Sequence, residues 1–154
     1  MESVDRDDNL ENAPELEELS REECLALLSR HSVGRLAVIA DDGLPFVVPV
    51  NYQLERDTVV FRTDAGTKLD AAQRHPVAFQ IDSIDPRQRT GWSVLLQGIA
   101  HEAVPHELTS AHVEPWLGPK QRWIQVVPRY ISGRRIRPPA EVDLARRHEA
   151  RAEE

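Results

Sequence analysis

The chain has 154 residues, a formal charge of −7 and a pI near 5.4, with 40 % hydrophobic and 29 % charged side chains. Those values describe one soluble domain with a real core, and the negative balance opposes a general electrostatic pull toward nucleic acid. The single cysteine, Cys24, excludes an internal disulfide and points to the cytoplasm; no stretch approaches the ~20 apolar residues of a membrane span, and the opening Met1-Glu2-Ser3-Val4-Asp5 lacks the basic start of a secretory signal.

In chain order, residues 1–15 are acidic and poor in large apolar side chains, so they are expected to form a flexible arm. The first ordered element is expected to be a helix at about 21–30. Ser20 with Glu23 fits a capping box, and Cys24, Leu27 and Leu28 fall on one face. After Val33-Gly34 the period changes to that of strands. Residues 35–40 form the first, Asp41-Asp42-Gly43 a hairpin turn, and 44–52 the second. Pro45 and Pro49 mark the second strand as an edge or a bulged strand, because proline lacks a ladder donor. A third strand at 58–63 follows the Glu55-Arg56-Asp57 turn. A short helix is expected at about 68–74, a fourth strand at 77–81 and a polar loop at 82–90. A long fifth strand runs over 92–104, a short helix over about 105–113, and a sixth strand over 122–131. Residues 138–154 read as a charged tail, leaving 16–137 as the domain. Six strands with short peripheral helices define a mainly β (α+β) chain built as a small barrel or half-barrel.

The stretch most suggestive of chemistry is Val60 to Leu69. A strand ends in Arg62 and Thr63, Gly66 permits a turn, and Thr67 and Lys68 open a helix. Such a corner gathers a guanidinium, an ammonium, hydroxyls and free backbone N–H groups, which suits a phosphomonoester. It is not a P-loop, because the glycine spacing and the Gly-Lys-Ser/Thr ending are missing. An ordinary surface arginine beside a helix cap fits the same residues. His101, His106 and His112 lack metal-ligand spacing, and no metal site is expected. Asp82 and Asp85 read as solvated loop residues, Trp116 and Trp123 as packing, and Arg134, Arg135 and Arg137 as a solvated basic run.

Arg35-Leu36-Ala37, Pro45 through Pro49-Val50-Asn51-Tyr52, Phe61-Arg62-Thr63 with Gly66-Thr67-Lys68-Leu69, and Gly91-Trp92-Ser93-Val94 with Gln97-Gly98 occur in that order. Together with Ile131 to Ile136 they resemble the motifs of the pyridoxamine 5'-phosphate oxidase-like FMN-binding split-barrel family, in its small actinobacterial form. The resemblance spans roughly residues 20–136. It implies a six-stranded split β-barrel that forms a homodimer, with FMN in the cleft between subunits. Arg62 and Lys68 would hold the phosphate with help from Thr63 and Thr67. Pro49, Val50 and Asn51 would line the ring through backbone groups, and Trp92, Ser93 and Gln97 would approach from the ring edge or the second subunit. The implied activity is flavin-dependent oxidation or reduction of a small organic molecule. Two alternatives keep the fold: deazaflavin F420 or haem as the cofactor, or a flavin-binding storage or sensor protein without catalysis.

Overall fold

In the strands, buried positions alternate with more exposed ones: Leu36 and Val38, Phe79 and Ile81, Val94 and Leu96, and Ile124 and Val126 are all buried, while the residue between each pair is not. One face of each strand therefore turns inward, and a sheet with such a face gains most by closing on itself. The computed structural model describes residues 14–64, 75–104, 113, 115, 116, 120 and 122–138. Its elements are β1 (Glu15–Leu19), α1 (Arg21–Arg30), β2 (Val33–Ile39), β3 (Pro45–Glu55), β4 (Thr58–Thr63), β5 (Pro76–Asp85), β6 (Thr90–Glu102) and β7 (Arg122–Arg137). The short helices expected at about 68–74 and about 105–113 lie, Val113 apart, outside the described residues.

Six strands run in the order β7-β4-β3-β2-β5-β6, and a β6–β7 pairing closes them into a barrel in which every pairing is antiparallel. The long β7 makes closure possible. It pairs with β6 from Ile124 to Ile136, and its first residues also serve β4. The core contains Leu36, Phe61, Phe79, Leu96 and Ile124, all fully buried. Among the described residues, no helix is long and apolar enough to cross a membrane.

The capping box is present in both directions: Glu23 N donates to Ser20 Oγ at 3.2 Å, and Ser20 N donates to Glu23 Oε2 at 2.8 Å. Cys24 and Leu28 are the helix's buried residues, and Leu27 packs partly against the core. A Cβ on Gly133 of β7 would come within 2.7 Å of Cys24 Sγ, so glycine there lets the helix lie directly on the strand. Burial pushes the Cys24 thiol pKa up, which fits a packing role. Tyr52 fixes the other side of the helix. Its hydroxyl donates to Leu28 O at 2.6 Å, its ring meets Phe79 edge-on, and desolvation raises the phenol well above its ordinary pKa.

Two expectations change. The first described element is a strand rather than the helix: Glu15–Leu19 pairs with the far end of β7, Glu17 opposite Arg135 and Glu15 opposite Arg137. Correspondingly, Arg134, Arg135 and Arg137 belong to a strand that runs on to residue 137, and Arg137 grips Glu17 through two hydrogen bonds. An acidic segment and a basic one, each weakly apolar, stabilise each other across a seam that neither reveals alone. The polar loop at 82–90 also shrinks: β5 continues to Asp85 and the turn is confined to residues 86–89.

Candidate functional site

The β3–β4 ladder covers only Tyr52 to Glu55 against Thr58 to Phe61. Beyond it the two strands part. Residues Pro45 to Asn51 of β3 pair with β2 alone, while Arg62 and Thr63 pair with Trp123 and Arg122 of β7. The prolines of β3 thus lie on a half-strand with one side free of a ladder, where their missing N–H costs least. The parting is a seam in the barrel wall. By strand alternation Asn51 and Arg62 face outward at its mouth, with Tyr52 and Phe61 turned into the core.

Val113 and Trp116 lie at this mouth. Arg62 Nη1 donates to Val113 O at 3.4 Å, and Trp116 N donates to Asn51 Oδ1 at 3.1 Å. The Arg62 guanidinium carbon lies 4.9 Å from the centroid of the Trp123 ring, a cation–π distance. Its Nε is buried and has no hydrogen-bond partner. Two other described arginines, Arg122 and Arg135, are also less than fully exposed. Arg122 binds both carboxylate oxygens of Glu102, at 2.9 and 2.7 Å, and Arg135 lies 3.6 Å from Glu17. Among the described residues, Arg62 is the arginine that is partly buried and has no carboxylate within ion-pair distance. A half-desolvated cation with one long hydrogen bond is costly for the protein and favourable for an arriving anion.

The other expected site residues divide between the two faces of the wall. Pro49 is exposed on the outer face opposite Arg35, two positions from Asn51. Ser93 and Gln97 also face outward, but on β6, so Arg62 and Asn51 are together while these two stand apart from them. The side chains of Val50 and Thr63 are buried within the barrel. Trp92 packs against the core with its ring 5.0 Å from that of His31. Thr67 and Lys68 lie outside the described residues. The sequence reads Trp123 as packing and does not reveal it as the platform under Arg62; only the β4–β7 register, which joins residues 61 apart, brings the guanidinium over the indole.

A closed antiparallel barrel of six strands, parted between β3 and β4 and carrying one helix among the described residues, is a split barrel. The family model for pyridoxamine 5'-phosphate oxidase matches residues 20–145, and the chain belongs to that family of FMN-binding split-barrel proteins. It is 32 % identical over 136 residues to the uncharacterized protein Rv0080 of Mycobacterium tuberculosis, covering 82 % of this chain and 89 % of that one. Among solved structures it is similar to the FAD binding protein from Mycobacterium smegmatis, at 34 % identity and a TM-score of 0.67, covering 78 % of this chain and 98 % of that one. It is also similar to a FAD-binding protein from Mesorhizobium loti, at 26 % identity and a TM-score of 0.66, covering 81 % and 99 %. The mainly β split barrel expected from the sequence is the fold observed.

Proposed function

We propose that this chain binds a flavin through its phosphate and acts as a flavin-dependent oxidoreductase on a small organic molecule. The observation that carries this reading is Arg62, a partly buried guanidinium without a carboxylate, aimed outward at the seam between β3 and β4. A phosphate oxygen there would accept from the guanidinium's Nη groups and neutralise its charge. In this reading Lys68 and Thr67 complete the phosphate corner, and Thr63, whose side chain is buried in the barrel, offers it only backbone groups. Pro49, Val50 and Asn51 offer backbone groups to the ring, which suits Val50, whose side chain is turned away. Ser93 and Gln97 form a more distant part of the cleft. Trp92 would act from beneath, by fixing the strand that carries Ser93.

The flavin supplies the hydride chemistry when bound, and the protein binds and orients it. A homodimer would supply the second wall of the cleft. The outer face exposes Val33, Val47 and Leu95, apolar positions that a two-fold partner would cover. FMN is the ligand that a single phosphate corner fits best. FAD is the second reading, favoured because the similar proteins of M. smegmatis and M. loti are FAD-binding.

The test is the absorbance spectrum of freshly purified protein, followed by thermal melts with FMN, FAD, F420 and haem. A flavin spectrum, or a gain of about 2.7 kcal/mol at a flavin concentration of ~100 times Kd, is expected. A colourless protein with no flavin-dependent shift overturns the reading, and turnover with a reductant and an acceptor panel separates an enzyme from a storage or sensor protein.

A further inference from the structure

Among the described residues, Trp116 is the most exposed of the large apolar side chains, at 77 %. The sequence reads it as packing, but its ring stands in solvent, whereas Trp92 and Trp123 are half-buried. Tryptophan is highly buried on average because its ring carries so much apolar area, and an indole left in water gains by being covered.

The backbone beneath the ring is fastened. Trp116 N donates to Asn51 Oδ1 at 3.1 Å, and three residues earlier the carbonyl of the buried Val113 accepts from Arg62 Nη1 at 3.4 Å. Asn51 and Arg62 each stand one residue beyond the last β3–β4 pair, Tyr52 with Phe61, so both anchors are at the seam. The outer face of β3 registers the contact: Pro45, Val47 and Pro49 are exposed, and Asn51 is half-buried. Three residues span at most about 11 Å, so the root of the indole lies no farther than that from the carbonyl that Arg62 holds. An open aromatic face and a cation without a carboxylate are thus held side by side. A ligand that suits both carries an anion and a flat ring joined by a short chain, since aromatic rings attract one another in offset stacks.

We infer that the Trp116 indole stacks on the isoalloxazine ring of the flavin whose phosphate Arg62 holds. The inference rests on the flavin reading above and adds to it the residue that covers the ring's face. The backbone of Pro49, Val50 and Asn51 meets the ring's edge. The Asn51 side chain, its oxygen taken by Trp116 N, holds the indole over that edge.

The experiment titrates FMN and FAD into wild type, Trp116→Ala, Trp116→Phe and Arg62→Ala by calorimetry, and records the emission of the bound flavin. Trp116→Ala is expected to weaken both flavins by about threefold to tenfold, the scale of an aromatic pair, and Trp116→Phe to restore most of the affinity. An indole in contact with an excited flavin gives it an electron and quenches its emission; a phenyl ring does not. Bound FMN is therefore expected to be dim in wild type and brighter in both Trp116 variants. The side chain is exposed, so the flavin-free proteins should share one melting midpoint. A loss of affinity for FAD alone overturns the inference, because the indole then stacks on adenine. FMN affinity and emission unchanged in Trp116→Ala, beside weakened binding in Arg62→Ala, overturn it and leave the flavin reading standing. Wild type that binds neither flavin overturns both. A flavin-free Trp116→Ala protein that elutes as a smaller species than wild type also overturns the inference, because the indole then packs on a second copy.

Discussion

At the C-terminal end of β7, Arg137 holds Glu17 through hydrogen bonds of 2.7 and 2.6 Å, and Arg135 reaches Glu17 and Glu23 at 3.6 and 3.9 Å. At the N-terminal end of the same strand, Arg62 lies across Trp123 with no carboxylate and one hydrogen bond of 3.4 Å. The first region is closed electrostatically. Its arginines fasten an acidic strand to the barrel, and nothing further is needed. The second is left open: it keeps a cation partly out of water against a π face and one long hydrogen bond, with no carboxylate beside it among the described residues. Stability alone would not favour that arrangement, since an uncompensated charge costs more the more deeply it is buried. Charges that serve the fold and charges that serve a ligand can thus be told apart by whether their partners are already present.

The contrast predicts a separation between substitutions that unfold the barrel and substitutions that empty the corner. The largest effect belongs to the interior that carries both regions. Phe79 is fully buried, against Tyr52 and over Gly34, where a Cβ would come within 2.1 Å of its ring. Phe79→Ala is expected to cost about 3–5 kcal/mol in urea unfolding. Tyr52→Phe removes the donor to Leu28 O, leaves a buried carbonyl unsatisfied and should cost about 1–3 kcal/mol in the same measurement.

Smaller effects sharpen the comparison of the two ends. Arg135→Met is expected to lower the midpoint by less than Tyr52→Phe does, because it removes one member of a network with carboxylates. Arg62→Met is expected to leave the midpoint unchanged or raise it, because it removes a cation that has none. A fall in stability for Arg62→Met as large as that for Tyr52→Phe would make Arg62 a structural residue. The smallest effect is one of pH. The hydrogen bond from Arg137 holds the Glu17 carboxyl below its ordinary value of 4.5. Its folded-state pKa is depressed, so its contribution is complete above 4.5 and is lost as pH falls through the lower folded value. Melting curves of Glu17→Gln across pH 3–6 should therefore show a flatter acid limb than wild type, and the difference should shrink in high salt.

Much of the fold is legible in the sequence because its signals are local. Ser20 and Glu23 set the start of α1 within one turn, Gly43 at φ +82° closes the β2–β3 hairpin, and the apolar run of β4 and the alternating burial of β6 are carried by adjacent residues. The strand Glu15–Leu19 is not legible because its ladder partner is residues 133–137, more than a hundred positions away, and only Leu19 of its residues is buried in the core. The candidate site divides in the same way. Arg62 stands out at a strand end followed by a glycine turn. Its orphaned Nε and its seat on Trp123 depend on the β4–β7 register, which composition does not encode.

The central claim is that the uncompensated guanidinium of Arg62 is completed by a flavin phosphate. Calorimetric titration of FMN into wild type, Arg62→Ala and Arg135→Ala tests it most directly. The account predicts that Arg62→Ala loses about 1.5–3 kcal/mol of binding free energy while Arg135→Ala binds like wild type. FMN affinity unchanged in Arg62→Ala, or lowered equally in both variants, would contradict it.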